Sequence, residues 1–220
     1  AYTTFFGYFA GSIYDEALVG FDTHLVFRAV TLAVTATCLV GLRAVESGAA
    51  RWRAAFGVAV AALAVVWVFR CDLGLARTRG YVERALGGHV ALEHIDIYYD
   101  ATATSPDELR LLVADHEARY AELRAFWGEQ PRRRIRSYVY PSTARKGDLM
   151  GGRRTLVAKI WLGEMHITWD GLGDELLGHE MAHLFLRDAG TGPLAVSSRY
   201  LIVPQMALVE GAATAAAWGA

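Results

Sequence analysis

The segment DELLGHEMAHLFLR, residues 174–187, decides the central part of this fold. Its pattern predicts a helix over the whole range. His179 and His183 are four residues apart, so they lie on one face of that helix, where both imidazoles can reach one ion. Glu180 lies about 100° further round the helix, beside such an ion without being its ligand. The segment therefore predicts a metal site with two histidine ligands and an adjacent carboxylate.

This pattern of residue types is suited to hydrolysis by zinc. Zinc lowers the pKa of a bound water to about 7, and a carboxylate such as Glu180 accepts the proton as the water attacks a polarised carbonyl. Gly178 is expected to keep the approach beside the first histidine narrow, and the apolar neighbours form a buried face: Leu176, Leu177, Leu184 and Phe185. The alternative is an amphipathic helix whose histidines are solvated or satisfied within a core.

The third ligand must come from elsewhere, because a catalytic zinc takes three protein ligands and one water. A histidine ten residues after the first one would define a metzincin, but that position is Ala189. Asp188 points away from the ligand face. Glu210 remains: Pro204 can open a second helix, and the intervening chain is long enough to turn back. We therefore expect Glu210 to face the two histidines.

The HExxH motif, followed by a helix that carries LVEGA at residues 208–212, resembles the gluzincins, the thermolysin and aminopeptidase-like clan of zinc metallopeptidases. The resemblance implies a zincin-like catalytic half, in which a small mixed sheet with an edge strand over the cleft precedes two ligand helices. It also implies one Zn²⁺ per chain, held by His179, His183 and Glu210, with Glu180 activating a zinc-bound water to hydrolyse a peptide or protein substrate.

Two features depart from the clan's usual pattern. The interval between His183 and Glu210 is 26 residues, longer than in its best-known members. The tyrosine or histidine that stabilises the transition state in the clan normally follows the glutamate helix, and this sequence ends before it.

A helix with clear boundaries is predicted upstream of the site. Ser105 can cap it, Pro106 suits its first turn, Glu108 completes a capping box, and Gly128 ends it. Its apolar residues fall on one stripe, which is expected to pack on a sheet. Helix and sheet together predict an α+β fold class.

One strand of that sheet is predicted from the alternation of apolar and polar residues over residues 94–99. The other strands are expected at residues 135–140 and in one or two segments within residues 155–169. Residues 165–169 are expected to form the edge strand that pairs with an extended substrate. The glycine- and arginine-rich residues 145–154 are predicted to form a loop.

Composition excludes some classes of function. The 220 residues carry 22 basic and 23 acidic side chains, so the formal net charge of −1 gives no indication of nucleic-acid binding. All the basic side chains except Lys146 and Lys159 are arginine. Cys38 and Cys71 match no metal-ligand spacing, and each is predicted to be a buried free thiol.

Apolar residues are concentrated before residue 71. Residues 25–42 and 54–69 are apolar all round, which predicts a transmembrane helical hairpin and the lipid bilayer as a partner. The alternative is a pair of core helices in a soluble protein. We expect a membrane region over residues 1–71, a connector over residues 72–89, and a catalytic domain over residues 90–220, truncated at its C-terminus.

The arginines around the two spans predict the orientation. Arg43, Arg51 and Arg53 lie in the loop between the spans, so the positive-inside rule puts that loop in the cytoplasm and the catalytic domain outside it. Arg70, just beyond the second span, and further arginines after it weaken this asymmetry. Two other functions remain open: a non-catalytic zincin-fold interaction domain of a multi-spanning membrane protein, and a soluble zinc hydrolase. No feature of the sequence indicates an oligomeric state.

Overall fold

The computed structural model describes these residues: 2–3, 7–8, 21–73, 78–150, 152–154, 156–160, 162–169, 171, 175–187 and 206–219. The chain divides into two compact units, Ala1–Tyr81 and Val82–Ala220. The first is dominated by two long helices, and the second contains a sheet packed with helices. The molecule therefore combines a helical hairpin with an α+β unit, which confirms the predicted class.

The first unit begins with two very short strands that pair antiparallel, β1 (Tyr2–Thr3) and β2 (Gly7–Tyr8). Two helices follow, α1 (Phe21–Ser47) and α2 (Ala50–Val68). Gly48 lies between them with a positive φ of 62°, a conformation that side chains other than glycine rarely adopt. The two helices pack against each other as a hairpin.

Both hairpin helices contain a segment long and apolar enough to cross a membrane, Ala29–Ser47 and Ala50–Val68. No part of the second segment is buried inside the protein, and only 11% of the first is. A core helix of a soluble protein would have its apolar side chains covered by protein. The two predicted apolar helices are confirmed. Their apolar segments begin and end closer to the loop between the helices than the expected residues 25–42 and 54–69.

The two cysteines are free, but neither is buried. Cys38 is exposed on α1 and Cys71 is partly exposed. The prediction of two buried thiols was wrong, because the apolar segments that contain or adjoin them are not covered by the rest of the chain.

The next helix is α3 (Arg79–Leu86), and the division between the two units falls within it, between Tyr81 and Val82. The further elements of the second unit in chain order are β3 (Gly87–Ala91), β4 (Ile95–Asp100), α4 (Pro106–Trp127), β5 (Ile135–Tyr140), α5 (Thr143–Met150), β6 (Val157–Lys159), β7 (Glu164–Thr168), α6 (Glu175–Leu186) and α7 (Met206–Gly219). The strands expected at residues 94–99 and 135–140 correspond to β4 and β5, and β6 and β7 lie within residues 155–169, where one or two strands were expected.

The sheet has five strands in the order β3-β4-β5-β7-β6. The three central strands run parallel, and β3 and β6 lie antiparallel at the two edges. The expectation that residues 165–169 form the edge strand was wrong. They belong largely to β7, which lies between β5 and β6, and the three-residue β6 forms the edge instead. A strand so short carries too little alternation to be recognised from sequence.

One face of the sheet packs on three helices. Ile97, Ser137, Met165 and Ile167 are at most 1% exposed. They alternate with residues of the opposite face, as strand geometry requires. The apolar members of this set belong to one core cluster with residues of α4, α6 and α7, including Leu112, Met181 and Ala213. Burial of this cluster holds the two helices that carry the predicted site against the sheet.

The opposite face carries a stack of four aromatic rings that crosses the sheet. His89, Tyr98, Tyr138 and His166 are register partners on four adjacent strands. Their neighbouring ring centroids are 4.6, 5.1 and 4.8 Å apart, with interplanar angles of 11° to 16°. The stack runs from a half-exposed ring at the β3 edge to a buried ring on β7.

The predicted capping of α4 is confirmed in each detail. The Ser105 hydroxyl accepts the Glu108 N–H at 3.2 Å, and the Ser105 N–H donates to the Glu108 carboxylate at 2.8 Å. Pro106 lies in the first turn, and Gly128 ends the helix in the left-handed conformation with φ of 69°. Three of these signals lie within four residues at the start of the helix and the fourth lies at its end, so each acts locally and can be recognised without the tertiary structure.

Five elements were not predicted: β1, β2, α3, β3 and α5. The loop expected over residues 145–154 is wrong over its first part, which belongs to α5. Lys146 and Leu149 of this helix are buried. Gly147 is closely approached by Arg153, whose Cγ would lie 2.5 Å from an added Cβ. Burial and a close contact therefore stabilise this helix, which has a glycine in its interior and low intrinsic propensity.

Candidate metal centre

Three side chains from two helices converge on one point. His179 and His183 project from α6, and Glu210 projects from α7. Nε2 of His179 lies 3.2 Å from Oε2 of Glu210, and Nε2 of His183 lies 3.5 Å from the same oxygen. The two Nε2 atoms are 3.1 Å apart. Three atoms that bear lone pairs thus form a compact triangle.

Gly178, beside the first histidine, lies where α6 approaches both α4 and α7. An added Cβ at Gly178 would lie 3.5 Å from Cδ of Arg119 on α4 and 3.9 Å from Cβ of Ala217 on α7. Gly178 thus approaches the end of α7, while His183 approaches its beginning at Glu210, so α6 and α7 run in opposite directions. This arrangement lets one long carboxylate side chain reach both histidines.

The triangle has the dimensions of a zinc site. Bonds of about 2.0 to 2.2 Å in a tetrahedral site put neighbouring ligand atoms roughly 3.3 to 3.6 Å apart. The observed separations of 3.1, 3.2 and 3.5 Å are close to this range. Without a proton or a cation between them, three lone-pair donors at such distances would repel one another. The residues therefore fit a divalent cation that prefers imidazole and carboxylate ligands.

Glu180 lies next to the triangle and is only 7% exposed. Burial and the nearby charge of Glu210 raise its pKa to about 7, while Lys146 and the backbone N–H of Ala158, which donates to its carboxylate, oppose the shift. Ala158 belongs to β6, the edge strand. The carboxylate is thus held between the ligand helix and the sheet edge.

His183 is the more deeply buried of the two histidines. Burial lowers its pKa, with the Glu210 carboxylate opposing that effect and His179 adding to it. Its Nδ1 is buried and has no hydrogen-bond partner among the described residues. A neutral His183 is therefore favoured, as ligation through Nε2 requires.

The structure brings together all four residues that the sequence predicts for the site: His179, His183, Glu210 and Glu180. Asp188, Ala189 and Pro204, which were weighed in the search for the third ligand, lie outside the described residues. His166 on β7 is 3% exposed. Its Nδ1 is 2.9 Å from the Tyr140 hydroxyl, so it is a packed residue rather than one that reaches a substrate.

Two contributors to the site were not recognised from the sequence. The Ala158 N–H is a backbone group, so no side-chain pattern could have indicated it. Lys146 is completely buried on α5. Lys159, the other lysine, directly follows Ala158 in β6. One indication of this role for Lys146 was present in the sequence: lysine occurs at only these two positions, while the other basic side chains are arginine.

Comparisons of the chain with protein-family models, with curated proteins and with solved structures gave no match.

Proposed function

We propose that this protein is a membrane-anchored zinc hydrolase that cleaves peptide bonds. The observation that carries the proposal is the convergence of His179, His183 and Glu210 from two helices beside the buried Glu180. The spacing of the ligand atoms suits zinc, and a carboxylate adjacent to the metal but outside its ligand set suits a general base. The earlier resemblance to the gluzincins assigns the same four residues.

In this proposal, each residue of the site has a distinct role in hydrolysis. His179, His183 and Glu210 would hold the cation, which, when bound, polarises a carbonyl and acidifies water. Glu180 would accept a proton from the attacking water and pass it to the nitrogen of the departing amine. The Ala158 N–H would keep the Glu180 carboxylate oriented during both transfers.

The position of β6 supports a peptide as the substrate. In an antiparallel pair, the N–H and C=O of a residue point to the same side. Because the Ala158 N–H donates to Glu180, the Ala158 C=O also faces away from β7, toward the outer edge. No described strand pairs with that edge. An extended polypeptide could therefore add to β6 next to the general base.

The membrane part of the proposal is supported by the two ends of α2. The guanidinium of Arg51 lies 5.9 Å from the Trp52 ring, and that of Arg70 lies 4.5 Å from the Trp67 ring. The two tryptophans are 15 positions apart, which corresponds to roughly 22 Å of helix. Tryptophan and arginine are typical of the two interfaces of a bilayer, where the ring is amphipathic and the arginine reaches the headgroups.

The catalytic test uses Glu180→Gln and Glu210→Gln in the full chain, with Glu175→Gln as the matched control because that residue is exposed in the first turn of the same helix. We expect one zinc per chain in the wild type, the Glu180 variant and the control. The Glu210 variant should lose zinc affinity by at least about a hundredfold, since even partners outside the ligand set contribute 10- to 100-fold. Zinc is measured by elemental analysis after dialysis against a weak chelator.

Hydrolysis is measured by mass spectrometry on an unfolded polypeptide library. The wild type and Glu175→Gln should cleave it, and Glu180→Gln should not. Cleavage by the Glu180 variant at the wild-type rate would refute the mechanism. Stoichiometric zinc without cleavage by any form would instead indicate a metal-stabilised interaction domain. Extraction into buffer without detergent would indicate a soluble hydrolase.

The proposed orientation puts the catalytic unit outside the cytoplasm, because the hairpin loop carries Arg43, Arg51 and Arg53. A chain with both native cysteines changed to serine would receive one new cysteine, through either Glu175→Cys or Ser47→Cys. An impermeant maleimide added to intact cells should label the Glu175 position and spare the Ser47 position. The reverse labelling pattern would invert the topology.

A further inference from the structure

Hydrogen bonds continue beyond Val68, the last residue of α2. Arg70 donates through its guanidinium to the Trp67 carbonyl at 2.7 Å, and the Leu73 N–H donates to the Phe69 carbonyl at 2.9 Å, which adds one helical turn at residues 69–73. A helical turn advances only about 1.5 Å per residue, so these residues add little length between α2 and the second unit.

A side-chain contact joins Cys71, shortly after α2, to Thr78, immediately before α3. Sγ of Cys71 lies 3.7 Å from Oγ1 of Thr78. The same hydroxyl accepts the Tyr81 N–H at 3.3 Å, so Thr78 caps the start of α3. Residue 78 is thus held beside residue 71, which is only three positions beyond the last residue of α2.

The second compact unit begins at Val82, four residues after Thr78. Four residues span at most about 14 Å even when fully extended. A unit of 139 residues has a diameter of roughly 40 Å. Whatever the orientation of the second unit, these lengths together keep the metal centre within roughly 70 Å of the end of α2, and so of the membrane surface that Trp67 and Arg70 would mark.

From this short tether we propose that the substrates are polypeptides anchored in or bound to the same membrane, cut close to its surface. The inference rests on the proposed hydrolytic function. A substrate in the same membrane is presented to the site at a high effective concentration, whereas a bond far from the bilayer lies beyond the reach of the tether. The choice of the bond to be cut would thus depend on its distance from the membrane as well as on the sequence around it.

The test compares three reporters that carry the same cleavable sequence, taken from the polypeptide-library experiment. Two are linked to a phospholipid through proline-rich spacers of 10 or 40 residues, which hold the sequence roughly 30 or 125 Å from the anchor. The third has no anchor. The full chain is reconstituted with each in phosphatidylcholine vesicles with zinc, and products are quantified by mass spectrometry. We expect the short-spacer reporter to be cut at least tenfold faster than the other two.

Two variants sharpen the comparison. A proline-rich insertion of 40 residues after Leu73 lengthens the tether and should raise cleavage of the long-spacer reporter toward that of the short one. The Glu180→Gln variant should cleave none of the three reporters. Equal cleavage of all three reporters by the wild type would overturn the inference and leave the hydrolase intact. Absence of cleavage of every reporter, as with Glu180→Gln, would remove the proposed function and this inference with it.

Discussion

At the scale of single residues, the contact between Ala158 and Glu180 connects the sheet to the proposed chemistry. A buried carboxylate needs hydrogen-bond donors to stay in place, and the backbone of an edge strand provides one without adding a side chain to the cleft. In the proposed function, the same contact determines which edge of the sheet would face a substrate.

Replacing Ala158 with proline removes this donor while leaving the ladder to β7 intact, because proline is tolerated on an edge strand where its nitrogen points outward. We expect Ala158→Pro to bind zinc as the wild type does and to hydrolyse polypeptides roughly tenfold to a hundredfold more slowly, since Glu180 loses its orientation. Ala158→Gly, which retains the N–H, is the control. Equal rates for the proline and glycine variants would contradict a positioning role.

Another residue, His116 on α4, makes the fold sensitive to acid. Its Nδ1 donates to the Leu112 carbonyl at 2.8 Å, and its Nε2 accepts the Ser137 hydroxyl at 2.8 Å. Nδ1 must carry the proton, because a carbonyl can only accept. Burial lowers the pKa of His116 to about 4, against the opposing effects of the Leu112 hydrogen bond and the Asp115 charge.

The sign of the pH dependence follows from linkage. The unfolded chain takes up a proton at His116 near pH 6.5 and the folded chain only near pH 4, so this stabilisation is complete above 6.5 and is lost as the pH falls toward 4. The shift corresponds to at most on the order of 3 kcal/mol. In denaturant titrations of the detergent-solubilised chain at pH 7 and 4.5, His116→Gln should show a smaller loss of stability on acidification. An unchanged pH slope would contradict this assignment.

At the scale of elements, glycines determine how closely helices approach. In the hairpin, a Cβ added at Gly41 of α1 would lie 2.8 Å from the Phe56 ring of α2. Gly57 of α2 has no such neighbour within 4 Å. The first glycine therefore permits a close helix contact of the kind common in membranes, and the second faces away from it.

This difference supplies a matched pair of variants. Gly41→Leu should push α1 and α2 apart and lower the midpoint of thermal unfolding in detergent micelles, followed by tryptophan fluorescence. Gly57→Leu adds the same side chain on the open face and should leave the midpoint nearly unchanged. An equal loss in both variants would mean that helix propensity or detergent contact, rather than packing between the helices, dominates.

At the scale of the whole molecule, the proposed metal links two helices that are distant in sequence. A cation bound to the folded state alone, at a hundredfold excess over its dissociation constant, stabilises that state by about 3 kcal/mol. Removing it with a strong chelator should lower the unfolding midpoint of the wild type and speed proteolysis around α7. Glu210→Gln should be insensitive to the chelator. A chelator effect of equal size in this variant would place the metal elsewhere.

The sequence by itself determined the features whose causes are local. The limits of α4 follow from contacts within three or four residues at each end, and the shared face of His179 and His183 follows from helical periodicity alone. Alternation was sufficient for β4, in which the buried Ile95 and Ile97 alternate with less buried residues. Local signals did not reveal α5 or β3, which are short elements stabilised by what packs on them.

Only the tertiary structure decided how these parts meet. The meeting of Glu210 with two histidines across 26 residues, the position of β6 at the sheet edge and the burial of Lys146 depend on packing between elements far apart in the chain. Such contacts depend on the burial of shared apolar surface and on the closure of the loops between elements. Both involve several distant segments at once, so no single segment of the sequence indicates them. The residue types of the site are therefore a property of the sequence, and its geometry is a property of the packed core.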